Sequence, residues 1–176
     1  MVESAPEALI DLTLPSDPRY LALVRVVVGA AAGAVPSLTD ARVADLKLVA
    51  TELFANAMEA NWRSARSGRA AGSGSGSDRS VEQRERGARG PAVPEESAPV
   101  RVTCRADAEG VTLTVADSGP GLDATDDLHP PVEDPTRLHH ERGLGLPLIQ
   151  YLADKVDYVS DSGGTSATVV LRDRGD

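Results

Sequence analysis

Residues 50–61 read ATELFANAMEAN, and their helical spacing decides how the whole chain is organised. From Thr39 to Asn61 apolar residues recur at helical intervals, placing Val43, Leu46, Ala50, Leu53, Ala57 and Ala60 on one stripe. Glu52 and Asn56 are four apart, so they stack one turn above the other along an edge of that stripe. Read alone, a Glu-x-x-x-Asn pair is the solvated flank of an amphipathic helix. What lies on either side of the helix gives it another reading.

Upstream, LIDLTL (Leu9–Leu14) alternates and predicts an opening strand. The stretch PSDPRYLALVRVVVGAAAGAV follows, with Ser16 or Asp17 to cap a helix and Pro18 suited to its first turn. That helix should fade near Gly33–Pro36. The central helix starts at Thr39 or Asp40. Downstream, Ser64 to Pro99 changes character: Gly, Ser, Arg and Pro dominate, which predicts a flexible insertion. Lengthening a connection of about six residues to about 36 costs only about 1.6 kcal/mol of closure entropy, so a stable domain can carry it. Its arginines suit an acidic partner, but a solvated linker accounts for them as well.

VRVTCRAD and GVTLTVADSG then predict two strands joined at Glu109-Gly110. A Gly/Pro/Asp-rich loop leads to a helix over roughly Leu146–Asp154. KVDYVSD and TSATVVLRD close the chain as a hairpin across Gly163-Gly164. Strands in adjacent antiparallel pairs and helices in blocks predict an α+β fold. Its layers are helices on one face of a mixed, mostly antiparallel sheet.

Composition narrows the function. The 176 residues suit one domain, and a net charge of −9 argues against nucleic acid or anionic membrane as the main partner. The single cysteine, Cys104, excludes an internal disulfide framework and reads as a half-buried strand thiol. The first residues carry no basic leader, and the apolar run VVVGAAAGAV is too short and Gly-broken to span a bilayer. The expectation is a soluble, cytoplasmic protein.

Three further motifs carry chemistry. In VADSGPGL (Val115–Leu122) a strand ends in Asp117, and Gly119 and Gly121 allow a sharp turn and close approach to a ligand. A carboxylate there suits the exocyclic amine of a base such as adenine, although an Asp-Ser-Gly turn needs no ligand to explain it. In ERGLGLPLIQYLAD (Glu141–Asp154), Gly143 and Gly145 precede a helix whose free N–H groups suit phosphate. That loop is neither a Walker A motif nor a dinucleotide fingerprint. Thr165, opening the last strand, can join a base-binding network or simply fit a β-branched strand position. His129, His139 and His140 all lie in the preceding loop, without ligand spacing, and read as exposed loop residues.

In this order the motifs resemble those of the GHKL ATPases (gyrase, Hsp90, histidine kinase and mismatch-repair type). The chain looks most like the anti-sigma-factor serine/threonine kinases of Gram-positive bacteria, through PSDPRYLALVR, ARVADLKLVATELFANA and RGLGLPLIQYLADKV. The resemblance covers nearly everything except Ser64–Pro99 and the detail of the loop at 122–142, which it makes an ATP lid. It implies a single ATP-binding kinase-like domain over residues 1–176 with a two-layer, Bergerat-type sandwich. It also implies that ATP and Mg²⁺ are bound, with Asn56 as metal ligand and Glu52 as general base toward a substrate hydroxyl. Asp117 then recognises adenine, Gly119 and Gly121 form the turn beneath the base, and Thr165 stands beside it. Arg142, Gly143, Leu144 and Gly145 meet the phosphates. The implied partners are a sigma factor, an anti-anti-sigma protein of STAS type and a second copy of the chain.

The rival expectations are a nucleotide-binding interaction module whose kinase activity has decayed, and a detached histidine-kinase catalytic domain. Three departures from the pattern bear on them. Ala60 stands where the subfamily often has His, the insertion is unusual, and the lid is strongly acidic unless Arg137 and Arg142 offset it.

Overall fold

The computed structural model describes residues 8–72, 94, 97–121 and 145–174. Five strands form one sheet: β1 (Ala8–Leu14), β2 (Val100–Asp107), β3 (Gly110–Ala116), β4 (Lys155–Asp161) and β5 (Gly164–Arg172). Three helices accompany them: α1 (Leu21–Gly33), α2 (Asp40–Gly72) and α3 (Gly145–Leu152). The strand order is β1-β2-β3-β5-β4. Every pairing is antiparallel, so the sheet expected to be mostly antiparallel is wholly so among the described strands.

Alternation along the strands builds the two faces. Val100, Val102, Cys104 and Ala106 of β2, Val111, Leu113 and Val115 of β3, and Ala167, Val169 and Leu171 of β5 are all buried against the helices. The other face carries Thr103, Thr114 and Thr168 in register, and the Thr114 and Thr168 hydroxyls share a 3.0 Å hydrogen bond. Both hairpins turn on an Asx contact. Asp107 Oδ1 accepts the Glu109 and Gly110 N–H groups, and Asp161 Oδ1 accepts the Gly163 N–H at 2.7 Å.

The first helical segment begins with a 3₁₀ turn, Pro18–Tyr20, and Asp17 is its cap, accepting the Arg19 N–H. Leu46, Ala50, Leu53, Ala57 and Ala60 of α2 are buried as the stripe requires, and Val43 is partly so. Val49, Phe54, Met58 and Trp62 widen that stripe, because α2 lies between α1, α3 and the sheet. Phe54 is fully buried, which stabilises the fold by about 1.5–3 kcal/mol.

Helix α2 also continues to Gly72, into the segment read as insertion. Ala and Arg favour helix, no proline intervenes, and Gly68 costs only about 1 kcal/mol. At the insertion's other end, the Ala98 and Pro99 carbonyls are held by α2 itself, through Asn61.

Among the described residues, no helix is long and apolar enough to cross a membrane.

Candidate nucleotide site

The exposed Asn56 and the half-buried Glu52 stand at the rim of the buried stripe, as their spacing requires. The start of α3 meets them there. A Cβ added to Gly145 would lie 3.0 Å from Glu52 Oε2 and 3.7 and 3.9 Å from the Asn56 carboxamide nitrogen and oxygen. Two motifs almost a hundred residues apart in sequence thus share one surface, and glycine keeps the opening of α3 close to the carboxylate. At that opening the first N–H groups of the helix have no intrahelical partner, a favourable place for an anion.

Asp117 sits just beyond β3, on the helix-facing side of the sheet. Its N–H donates to Thr165 O at 2.9 Å, while Asp117 Oδ1 accepts the N–H groups of Gly119 (2.8 Å) and Thr165 (3.2 Å). One carboxylate oxygen is therefore spent on orientation, and the other is available to a ligand donor. Burial raises the Asp117 pKa; the Gly119 and Thr165 amides and the positive charge of Arg63 oppose that rise.

Close packing determines which residues can form the turn after Asp117. A Cβ on Gly119 would come within 2.6 Å of Ala60 Cβ and 2.9 Å of Asp117 Oδ1. The turn thus rests directly on α2 at the position where the subfamily often has His. Gly121, at φ +82°, lies against the Asp161 carbonyl. Gly164, at φ +144°, lies against the Asp117 carbonyl, where any side chain would collide with backbone. The sequence motifs did not single out Gly164 as a site residue; its place immediately before Thr165 in a Gly-Gly turn was the available signal.

Asn61 was also missed. It is 1% exposed, and its Oδ1 accepts the Ser118 N–H at 2.8 Å. Its Nδ2 donates to Ser16 Oγ (3.0 Å), Ala98 O (2.9 Å) and Pro99 O (3.3 Å). Ser16 Oγ donates to Ala98 O, and Ser16 O accepts from the Trp62 indole. This buried knot holds the residue next to Asp117. A polar residue at an interior helix position was the only sequence signal for it.

Arg142, Gly143 and Leu144, the lid at 122–142 and its three histidines lie outside the described residues. The structure therefore brings Glu52, Asn56 and Gly145 together, and separately joins Asp117, Gly119, Gly121 and Thr165 at the adjoining sheet end.

Part of the chain is similar to known proteins. Residues 90–171 match the family model for the histidine kinase-like ATPase domain, a span running from before β2 into β5. This part of the chain is similar to a histidine kinase-like ATPase domain. The matched span holds Asp117, Gly145 and Thr165 but not the helix bearing Glu52 and Asn56. The fold extends further. The crystal structure of the RsbU and RsbW domains of Rv1364c from Mycobacterium tuberculosis is similar with a TM-score of 0.55 at 15% identity. That similarity covers 94% of this chain and 32% of the other, so this chain spans about a third of that one. No curated protein matches the chain.

The donor set at this rim fits Mg²⁺. One carboxamide and one nearby carboxylate at an exposed rim suit a hard ion that takes few protein oxygens and completes its shell with phosphate and water. No cluster of three or more His, Cys, Asp or Glu residues able to cage a metal occurs among the described residues.

Proposed function

We propose that this domain binds Mg-ATP and phosphorylates a serine or threonine of an anti-anti-sigma protein of STAS type, and in another state sequesters a sigma factor. The observation that carries the reading is the meeting of Gly145 with Glu52 and Asn56, beside a sheet end where Asp117 and Thr165 are joined. The RsbW domain in the similar structure and the sequence resemblance support the anti-sigma role. The negative charge of the chain suits protein partners rather than nucleic acid.

In this reading the adenine amine donates to Asp117, and the phosphates lie between α2 and the start of α3. Asn56 would hold Mg²⁺, which neutralises phosphate charge when bound. Glu52 accepts the proton of the substrate hydroxyl as its oxygen forms a bond to the γ-phosphorus and the bond to ADP breaks. Most of the catalytic effect comes from positioning and charge neutralisation rather than covalent chemistry.

The test is phosphate transfer from Mg-ATP to a STAS-type protein by wild type, Glu52→Ala and Asn56→Ala. Loss of transfer in both variants supports the mechanism, with Glu52→Ala still binding nucleotide. Equal transfer by all three overturns it.

Ala60 favours a second reading, a nucleotide-binding module whose kinase activity has decayed, since any contact from a histidine at that position is missing. Such a module would bind nucleotide and sigma factor with no transfer at all. Saturating Mg-ADP at 100 times its dissociation constant would still stabilise it by about 2.7 kcal/mol, and Asp117→Asn would abolish that shift. Acid-labile phosphate on a partner histidine would instead identify a detached histidine-kinase catalytic domain.

A further inference from the structure

Glu59 belongs to no motif, yet α2 carries it between the two groups of residues assigned to the nucleotide. At about 100° per residue, Glu52, Asn56, Glu59 and Arg63 fall within about 60° of one another and form one row along the helix. Separate contacts fix what lies over each end of that row. Over Glu52 and Asn56 is Gly145, which opens α3. At the other end is the turn after Asp117, where a Cβ on Gly119 would lie 2.6 Å from Ala60 Cβ and 2.9 Å from Asp117 Oδ1. The positive charge of Arg63, one turn past Glu59, also acts on the Asp117 carboxylate.

The helix thus serves as a ruler. Ala60 lies about 6 Å past Asn56 along the axis, and Glu59 about 4.5 Å past it. A helical side chain leans toward the N-terminus and covers the turn before its own Cα, so Glu59 projects over the gap between Asn56 and Ala60. In a nucleotide whose phosphates meet Asn56 and Gly145 and whose base meets Asp117, the part above this gap is the sugar. Glu59 is exposed and makes no hydrogen bond or ion pair among the described residues. A carboxylate only accepts hydrogen bonds, so it is mismatched to phosphate oxygens and complementary to hydroxyls. Its two oxygens suit two neighbouring hydroxyls, the arrangement a ribose presents and a deoxyribose lacks.

We propose that Glu59 is a sugar-binding residue of the nucleotide site, accepting hydrogen bonds from the ribose hydroxyls and so selecting ribonucleotides over deoxynucleotides. The inference rests on the adenine-nucleotide reading above. A carboxylate that met no hydroxyl there would only repel the phosphates, weakening ribo- and deoxynucleotides alike. Because Glu59 is exposed on a helix, its replacement by alanine leaves no buried cavity and keeps a strong helix former in place.

The experiment is isothermal titration of the full chain with the Mg²⁺ salts of ATP, 2′-deoxy-ATP and 3′-deoxy-ATP, for wild type, Glu59→Gln and Glu59→Ala. Wild type should bind at least one deoxynucleotide about tenfold more weakly than ATP, the size of one hydrogen bond to a charged acceptor. In Glu59→Ala that preference should vanish, through weaker binding of ATP. Glu59→Gln keeps the shape and one acceptor oxygen without the charge, and should retain part of it. Equal binding of all three nucleotides by wild type, or an unchanged ratio in Glu59→Ala, overturns the proposal while leaving the nucleotide site intact. So does an equal gain in affinity for all three in Glu59→Ala, the mark of a merely repulsive carboxylate. Failure of wild type to bind ATP overturns the adenine-nucleotide reading itself and the proposal with it. Melting temperatures of the variants report the fold separately.

Discussion

Asn61 Oδ1 accepts the backbone N–H of Ser118 at 2.8 Å, tying the interior of the long helix to the residue after Asp117. The same carboxamide reaches Ser16, Ala98 and Pro99, so one side chain joins the end of β1, the approach to β2 and the exit of β3.

Replacing Asn61 by alanine would remove the side-chain partner of the Ser118 N–H and the Pro99 carbonyl and leave Ser16 Oγ and Ala98 O with only each other. Asn61→Ala should cost about 2–3 kcal/mol in urea unfolding. It should also weaken Mg-ATP binding, since Ser118 and Asp117 lose their anchor. Isothermal titration alongside denaturation checks both effects. A destabilised variant with wild-type affinity would separate the knot from the site.

Gly119 rests on Ala60, with no room for a methyl group between them. Gly119→Ala should push the turn away from α2 and weaken ATP binding by about tenfold or more, with a loss of about 1–3 kcal/mol in stability. Ala60→His should do the same from the helix side rather than restore a missing contact. Higher affinity in Ala60→His would show that the turn moves freely.

Arg42 is 6% exposed and ties the start of α2 to the far end of α3. It donates to Leu152 O (2.8 Å), Arg172 O (3.1 Å) and Asp45 (3.1 Å), and pairs with Asp154. Truncation leaves the Asp154 charge without its most buried partner, so Arg42→Ala should destabilise by about 3 kcal/mol. Chemical denaturation measures this directly.

Asp154 also predicts a pH dependence. Burial acts to raise its pKa, but the Arg172 N–H, Arg174 and Arg42 outweigh it and hold the carboxylate below its ordinary 3.8. A depressed folded-state pKa means stabilisation that is complete above the unfolded value and is lost as pH falls through the folded one. Wild type should lose its advantage over Asp154→Asn as the pH drops from about 5 toward 3. A difference that stays constant across that range contradicts the assignment.

Cys104 is buried on β2, and burial pushes its thiol up to about 11. It should react with Ellman's reagent at pH 8 only as fast as the protein unfolds, and about one thiol per chain should appear in denaturant. Rapid modification of the native chain would place the thiol outside the core.

Each element above was legible to the degree that its cause is local. The 3.6-residue period of α2 placed Leu46, Ala50 and Leu53 inside and Glu52 at the rim, because burial must follow the helix repeat. The two-residue period did the same for β2, β3 and β5. The end of α2 was not legible: local propensity carries the helix to Gly72, past the loss of apolar periodicity that suggested a boundary at Ser64.

The sequence alone determined which residues could do chemistry: a carboxylate and carboxamide one turn apart, an aspartate ending a strand, and glycines opening a helix. Tertiary structure alone decided which of them meet. Gly145 comes against Glu52 only because α3 packs on α2, and Thr165 meets Asp117 only through the register of β3 and β5. Asn61 and Arg42 were invisible for the same reason. Their partners lie between 3 and 130 residues away in sequence, and no local spacing encodes a hydrogen bond that exists only once the layers have packed.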